Sequence, residues 1–235
     1  MNHPAGKSTR KMAAQRRANG WLWLVVGFVA ILVVNQLLFN SPDLDLGNWG
    51  IILLFPLLGF LLNLAETFSR KQYKAERRAE RGAVAEERIG NILSELGEGY
   101  LVLHDIVSPY GNIDHIVISR QAGIFLIETK AHGGRVSFSQ AGLLVNSHAP
   151  EKDFVAQALR NVYWLRQQVA PLLGKKPWIT ALIVFTNAFV EAGRPVRGVS
   201  VINGKYLLRF IQRPAPPKPE NEMLWEKRHE ILRAL

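Results

Sequence analysis

Two uncharged apolar runs within the first 65 residues constrain this chain more than any other feature of its sequence. The first, residues 21–39, is 19 residues long and carries no charge. The second, residues 49–65, adds 17 more, interrupted by Pro56, Gly59 and Asn63. A hydrocarbon core of roughly 30 Å takes about 20 helical residues, and in lipid the helix is the open-chain form that satisfies its own backbone. The pattern therefore predicts a transmembrane helical hairpin with spans at 21–39 and 49–65. A cleaved leader is disfavoured, because no small-x-small site follows residue 39 and a second apolar run does. Orientation follows from the flanks. Lys7, Arg10, Lys11, Arg16 and Arg17 precede the first run, and Arg70, Lys71, Lys74, Arg77, Arg78 and Arg81 follow the second. The short connection between them holds Asp43 and Asp45 and no base. The positive-inside rule then sets a multi-pass topology with both termini cytoplasmic and the acidic loop outside.

The formal charge of +10 invites a nucleic-acid reading until it is located. Residues 1–81 carry 11 Lys/Arg against 5 Asp/Glu, and residues 82–235 carry 18 against 14. Most of the excess thus flanks the apolar runs, where orientation accounts for it. The absence of cysteine excludes disulfides, iron–sulfur clusters, thiol nucleophiles and Cys-type zinc sites. The histidines lack an HExxH companion, and neither a P-loop nor a GxSxG elbow is present.

Beyond the apolar runs the chain divides into a basic N-terminus (1–20), the two spans (21–65), a charged helical stem (66–81), a domain (82–213) and a Pro-rich linker with a C-terminal helix (214–235). Residues 66–97 lack proline and read as a long helix, with Val84, Ile89, Ile92, Leu93 and Leu96 at helical spacing. Short β-rich runs follow at 100–106, 113–119 and 123–130. The last two are separated by Arg120-Gln121-Ala122, a length typical of a β-hairpin. Residues 154–161 begin a helix, 178–185 read as a strand buried on both faces, 199–202 as another strand, and 204–211 as a helix. The order of elements gives an α/β fold with a mixed sheet flanked by helices.

Pairing Ser119 with Gly123 across the hairpin makes opposed residue numbers sum to 242, so Asp114 faces Glu128. Lys130 shares a strand face with Glu128, because positions i and i+2 do. Two carboxylates and an ammonium are thereby gathered amid Ile, Val, Phe and Leu. Like charges so placed need compensation, and a divalent cation supplies it. Mg²⁺ takes one or two carboxylates and keeps several waters; it activates water, while a lysine offsets charge developing on phosphorus. The bland alternative is an edge-strand salt bridge between Glu128 and Lys130 with Asp114 solvated.

The string Gly111-Asn112-Ile113-Asp114-His115-Ile116-Val117, then Gly123-Ile124-Phe125 and Ile127-Glu128-Thr129-Lys130, resembles the nuclease-related domain known as NERD. That family is grouped with the PD-(D/E)XK, restriction-endonuclease-like fold. Gly133-Gly134-Arg135-Val136 resembles the glycine turn and short strand that follow in the family. Ala85-Glu86-Glu87 is similar to its Gly-Glu pair, with alanine in place of glycine, and Gln157 resembles its helix glutamine. The likeness covers about residues 82–190. It implies Asp114 and Glu128 as metal ligands with the Thr129 carbonyl as a third, and Lys130 as the catalytic lysine. It further implies Glu86 as a residue orienting the lysine or ligating metal, and Gln157 as a contact for Lys130 or a substrate phosphate. For Glu86 and Gln157 the alternatives are a solvated helix charge and a helix-surface amide.

The expectation is a membrane-anchored nuclease-like domain, using Mg²⁺ or Mn²⁺ to hydrolyse phosphodiester bonds of nucleic acid at the cytoplasmic face, with DNA and RNA both open. The rival is a non-catalytic module binding nucleic acid or protein at the membrane. Family folds can keep their carboxylates without doing chemistry, and the modest charge of residues 82–235 favours such a module, because duplex binding generally wants a basic surface.

Overall fold

The computed structural model describes residues 4–39, 47–140, 142–193, 195–214, 216 and 218–235. The chain divides into two compact units, one of residues 9–80 and one of residues 1–8 with 81–235.

The smaller unit is built from helix α1 (Lys7–Phe39) and the first part of helix α2 (Gly47–Leu93). The two run antiparallel. Arg16 donates to the Ala75 carbonyl, Arg17 pairs with Glu76 at 2.7 Å, and Trp23 stacks on Phe68 at 5.0 Å between ring centroids. A Cβ built on Gly27 would touch the Ala65 methyl at 3.6 Å, so small residues let the helices approach. Both apolar runs are helical, but neither is a separate helix: the first ends α1 and the second opens α2 without a break before the charged stem. Among the described residues no helix is long and apolar enough to cross a membrane, so the expected spans at 21–39 and 49–65 are unsupported by the fold. Many side chains of both runs, all of those at 49–58 included, and the acidic loop with Asp43 and Asp45, lie outside the described residues.

The larger unit holds a mixed six-stranded sheet: β1 (Tyr100–Ser108), β2 (Gly111–Ser119), β3 (Gly123–Ser139), β4 (Gly142–Val145), β5 (Ile179–Val190) and β6 (Ser200–Asn203). The order is β1-β2-β3-β5-β6, with β4 also paired to β3. β1, β2 and β3 are antiparallel neighbours, while β3–β5 and β5–β6 are parallel. Parallel central strands are covered on both faces, which explains the nearly continuous apolar composition of β3 and β5. One face packs against helix α3 (Phe154–Leu173) and the C-terminal helices α5 (Pro219–Glu226) and α6 (Arg228–Ala234), after the short α4 (Leu207–Ile211). Ile116, Ile124, Leu126, Ile183 and Phe185 meet Val155, Leu165, Leu224 and Ile231 there. The other face carries Val117, Phe125, Ile127, Leu182 and Val184 against Ile89 and Leu93 of α2 and Leu207 and Ile211 of α4.

Several expected boundaries shift. β3 does not stop at a glycine turn after Lys130 but runs on through a register shift between Lys130 and Gly133, because Val136 and Phe138 find partners in β4. Gly134 adopts φ +90° there, and any Cβ would overlap Asn146 Oδ1, which accepts from the Arg135 N–H at 2.9 Å. Val84, counted on the apolar face of its helix, is 56% exposed; Ala83 and Ala85 are the buried neighbours. The expected single C-terminal helix is two, α5 and α6, and Leu224 and Ile231 bury it against the domain.

A histidine pair sits on the α2 face. His115 of β2 is fully buried, and its Nδ1 lies 2.8 Å from Nδ1 of His104 on β1. Protonating both rings would set two N–H groups against each other. Burial, then the charge of His104, lowers the pKa of His115 to about 3, and burial lowers that of His104. A group whose folded pKa is depressed binds fewer protons in the fold than in the unfolded chain between about pH 3 and 6.5. Stability is then complete above that window and falls on acidification at up to about 1.4 kcal/mol per pH unit. Urea midpoints at pH 7.5 and 5 should fall less steeply for His115→Gln than for the parent. Equal slopes would show that the buried ring does not control acid lability.

Candidate active site

β2 and β3 pair only from Ser119↔Gly123 to His115↔Ile127. That is the register expected from the hairpin, and it sets Asp114 opposite Glu128. Past this point β2 stays with β1 as far as Ser108↔Gly111, while β3 continues beside β5. The strands part at the two acids. The Thr129 N–H, which β2 would otherwise accept, donates instead to Asp114 Oδ2 at 2.6 Å. In an extended strand a residue's carbonyl leaves on the same edge as its N–H, which puts the Thr129 carbonyl on the β2 side of β3.

Glu128 and Lys130 alternate with Ile127 and Thr129 and therefore face α3. Glu128 is 1% exposed. Lys130 Nζ lies 3.3 Å from Glu128 Oε2 and 5.0 Å from the centroid of the Phe154 ring. α3 begins where Asp153 caps it by accepting from the Ala156 N–H at 2.9 Å, and Arg197 holds that carboxylate at 2.6 Å. The Ala156 N–H first, then Arg197, lowers the Asp153 pKa. With the helix start fixed, Gln157 and Asn161, four residues apart, share one face. Gln157 Nε2 donates to Glu128 Oε2 at 3.1 Å, and Asn161 Nδ2 to Glu128 Oε1 at 2.9 Å. Ser108 Oγ completes the chain 2.8 Å from Asn161 Oδ1.

The electrostatics are uneven. The Asp114 pKa is raised well above the ordinary aspartate value, first by desolvation, then by the charge of Glu128 and, more weakly, that of Glu86; Lys130 and the Thr129 N–H oppose the rise. The fold thus holds the Asp114 carboxyl beside a second carboxylate in a place that disfavours its charge.

Of the sequence-derived site residues, Asp114, Glu128, Thr129, Lys130 and Gln157 converge. Gln157 contacts Glu128 rather than Lys130, sharing the oxygen that the lysine uses. Glu86 stands on α2 in the opposite layer, and its charge is what reaches Asp114. The bland alternative captures the Glu128–Lys130 ion pair but not its setting, because β3 is an interior strand and Asp114 is partly buried and hydrogen-bonded. Sequence reasoning missed Asn161 and Ser108. Asn161 was detectable as the position one turn after Gln157; Ser108 is brought in by tertiary packing alone.

Among the described residues no group of three or more His, Asp or Glu side chains is arranged to hold a metal ion. Two carboxylates and a main-chain carbonyl nevertheless make a hard oxygen donor set of the kind Mg²⁺ or Mn²⁺ uses with retained water. Glu128 has about four lone-pair positions, and Lys130, Gln157 and Asn161 engage three. Asp114 Oδ2 takes the Thr129 N–H. The residues fit one such cation.

The larger unit is thus an α/β domain whose parted strands collect two acids, a lysine and two amides. Residues 81–186 match the family NERD, the nuclease-related domain, which supports that identification for this part of the chain and suggests a nuclease-related function. No curated protein and no solved structure matches the chain.

Proposed function

We propose that the larger unit is a divalent-cation-dependent phosphodiesterase acting on nucleic acid. The observation that supports this reading best is the parting of β2 from β3 at Asp114 and Glu128, with Lys130 on the same face. Asp114, Glu128 and the Thr129 carbonyl would hold Mg²⁺ or Mn²⁺. When bound, the cation supplies positive charge for the phosphodiester and promotes ionisation of the attacking water. The chain's own residues do the rest. Gln157 and Asn161 hold Glu128 as an acceptor. Lys130, kept between Glu128 and the Phe154 ring, presents a cation where charge gathers on phosphorus. Glu86 tunes Asp114 through its field.

The second half of the proposal is a membrane tether with the domain on the cytoplasmic side. Its support is the uncharged run at 21–39, the basic flanks, and the large apolar side chains that α1 leaves exposed, among them Trp21, Leu22 and Phe28. Exposed apolar surface of that extent is what lipid covers.

A second reading, a non-catalytic binding module, draws on the same cluster, because protein donors already satisfy most of Glu128. The experiment that separates them uses the full chain in detergent with single- and double-stranded DNA and RNA. Cleavage with Mg²⁺ or Mn²⁺, stopped by EDTA, is expected. No cleavage of any of the four, with Mn²⁺ uptake that ignores Asp114→Ala, would leave only the binding module.

A further inference from the structure

Asn161 and Ser108 reach the reacting groups only through Glu128, yet their hydrogen bonds have a polarity that the acid depends on. Asn161 is fully buried, so its amide has no water to fall back on. An ionised carboxylate can only accept, so Asn161 must turn its NH₂ toward Glu128 Oε1, at 2.9 Å. Its Oδ1 then faces Ser108 Oγ at 2.8 Å and needs a donor. Ser108 has a single hydroxyl proton and two acceptors within reach, Asn161 Oδ1 and the Gly111 carbonyl at 2.5 Å. The Tyr110 N–H, 3.1 Å away, occupies one of its lone pairs. When the Ser108 proton points to Asn161, the amide is locked with its NH₂ on Glu128. When it points to Gly111, the amide is free to turn its oxygen toward Glu128, which an ionised Glu128 opposes. The turn joining β1 to β2 and the acid on β3 are therefore linked by one buried amide.

We propose that Asn161, oriented by Ser108, is a positioning residue that fixes Glu128 in one rotation as a ligand for a divalent cation. The proposal rests on the cation-dependent reading of the site. Partners that orient a metal ligand typically change metal affinity by 10–100-fold when removed. The Ser108 hydroxyl acts one bond further away and should matter less.

The test uses the full chain and Mn²⁺ alone, with free ion followed by its electron paramagnetic resonance signal and urea midpoints recorded in EDTA. Asn161→Leu, which keeps the branched shape and removes both polar atoms, should weaken Mn²⁺ binding by about tenfold. Ser108→Ala should weaken it by about threefold, and in the Asn161→Leu background should add nothing. Parental Mn²⁺ affinity in Asn161→Leu, with Asp114→Ala losing it, would overturn the positioning role and leave the metal site standing. A lowered urea midpoint with unchanged affinity, or additive effects of the two substitutions, would overturn it equally. Mn²⁺ uptake indifferent to Asp114→Ala would overturn the cation reading itself, and the proposal with it. Should Asn161→Leu not fold, Ser108→Ala decides alone: parental affinity there removes the relay.

Discussion

Asp114→Asn is expected to reduce cation-dependent hydrolysis by a factor of about 10³ or more, and yet to leave the metal-free protein more stable by about 1 kcal/mol. The two effects have one cause. Asp114 is desolvated beside Glu128 and within the field of Glu86, so its charge is disfavoured in the fold. Asparagine keeps an oxygen for the Thr129 N–H and removes the charge. The sign with pH follows. A carboxylate whose folded pKa is raised contributes stability at low pH that is lost as pH rises through the folded value. The advantage of the asparagine should therefore be absent in acid, appear above about pH 4 and grow toward neutrality. Urea midpoints in EDTA across that range, with hydrolysis rates in Mn²⁺, check both halves. A variant that loses stability along with activity would make Asp114 a structural residue; one that keeps activity would remove it from the chemistry.

That trade of stability for charge is partly legible in the sequence itself. The alternation of 113–119 and 123–130 about a three-residue connection fixes a register, and the register alone opposes Asp114 to Glu128. What the sequence conceals is where the ladder ends. Nothing local marks His115↔Ile127 as the last pair, because the parting of β2 from β3 is decided by β1 on one side and β5 on the other. The Thr129 N–H, and hence the Asp114 contact that replaces the ladder, depends on that non-local choice.

The same logic separates the other residues. Gln157 and Asn161 occupy one helix face by simple periodicity, but only packing of α3 on the sheet turns that face to Glu128. Glu86 lies on a helix that covers the opposite face, a layer assignment that helical spacing cannot supply. β3 reaches Ser139 because β4 pairs with its far end, against the local signal of two glycines. Val84 fits the helical stripe by spacing and is exposed, while its neighbours Ala83 and Ala85 are the buried positions. The apolar runs near the N-terminus are the converse case: composition and flanking charge speak for a membrane, while the helices that contain them merge with charged sequence.

The largest stability effect should come from separating Glu128 and Lys130. Glu128→Leu leaves the Lys130 ammonium, 12% exposed at its side chain, with the Phe154 ring but no carboxylate in contact, and leaves the amides of Gln157 and Asn161 without their acceptor. Removing one member of a buried ion pair costs about 3–5 kcal/mol, because the remaining charge keeps its desolvation penalty and loses its compensation. Asp114 limits the loss, since the lysine's attraction to that acid becomes its main electrostatic support. Adding Lys130→Met removes the stranded cation, and replacing both members of a buried pair by apolar groups is often neutral or stabilising. Glu128→Leu/Lys130→Met should therefore recover most of the lost stability and none of the activity, read as urea midpoint and as Mn²⁺-dependent hydrolysis. Stability that returns together with hydrolysis would place the chemistry outside this cluster. A double variant no more stable than Glu128→Leu alone would show that the two unsatisfied amides, rather than the lysine charge, carry the cost.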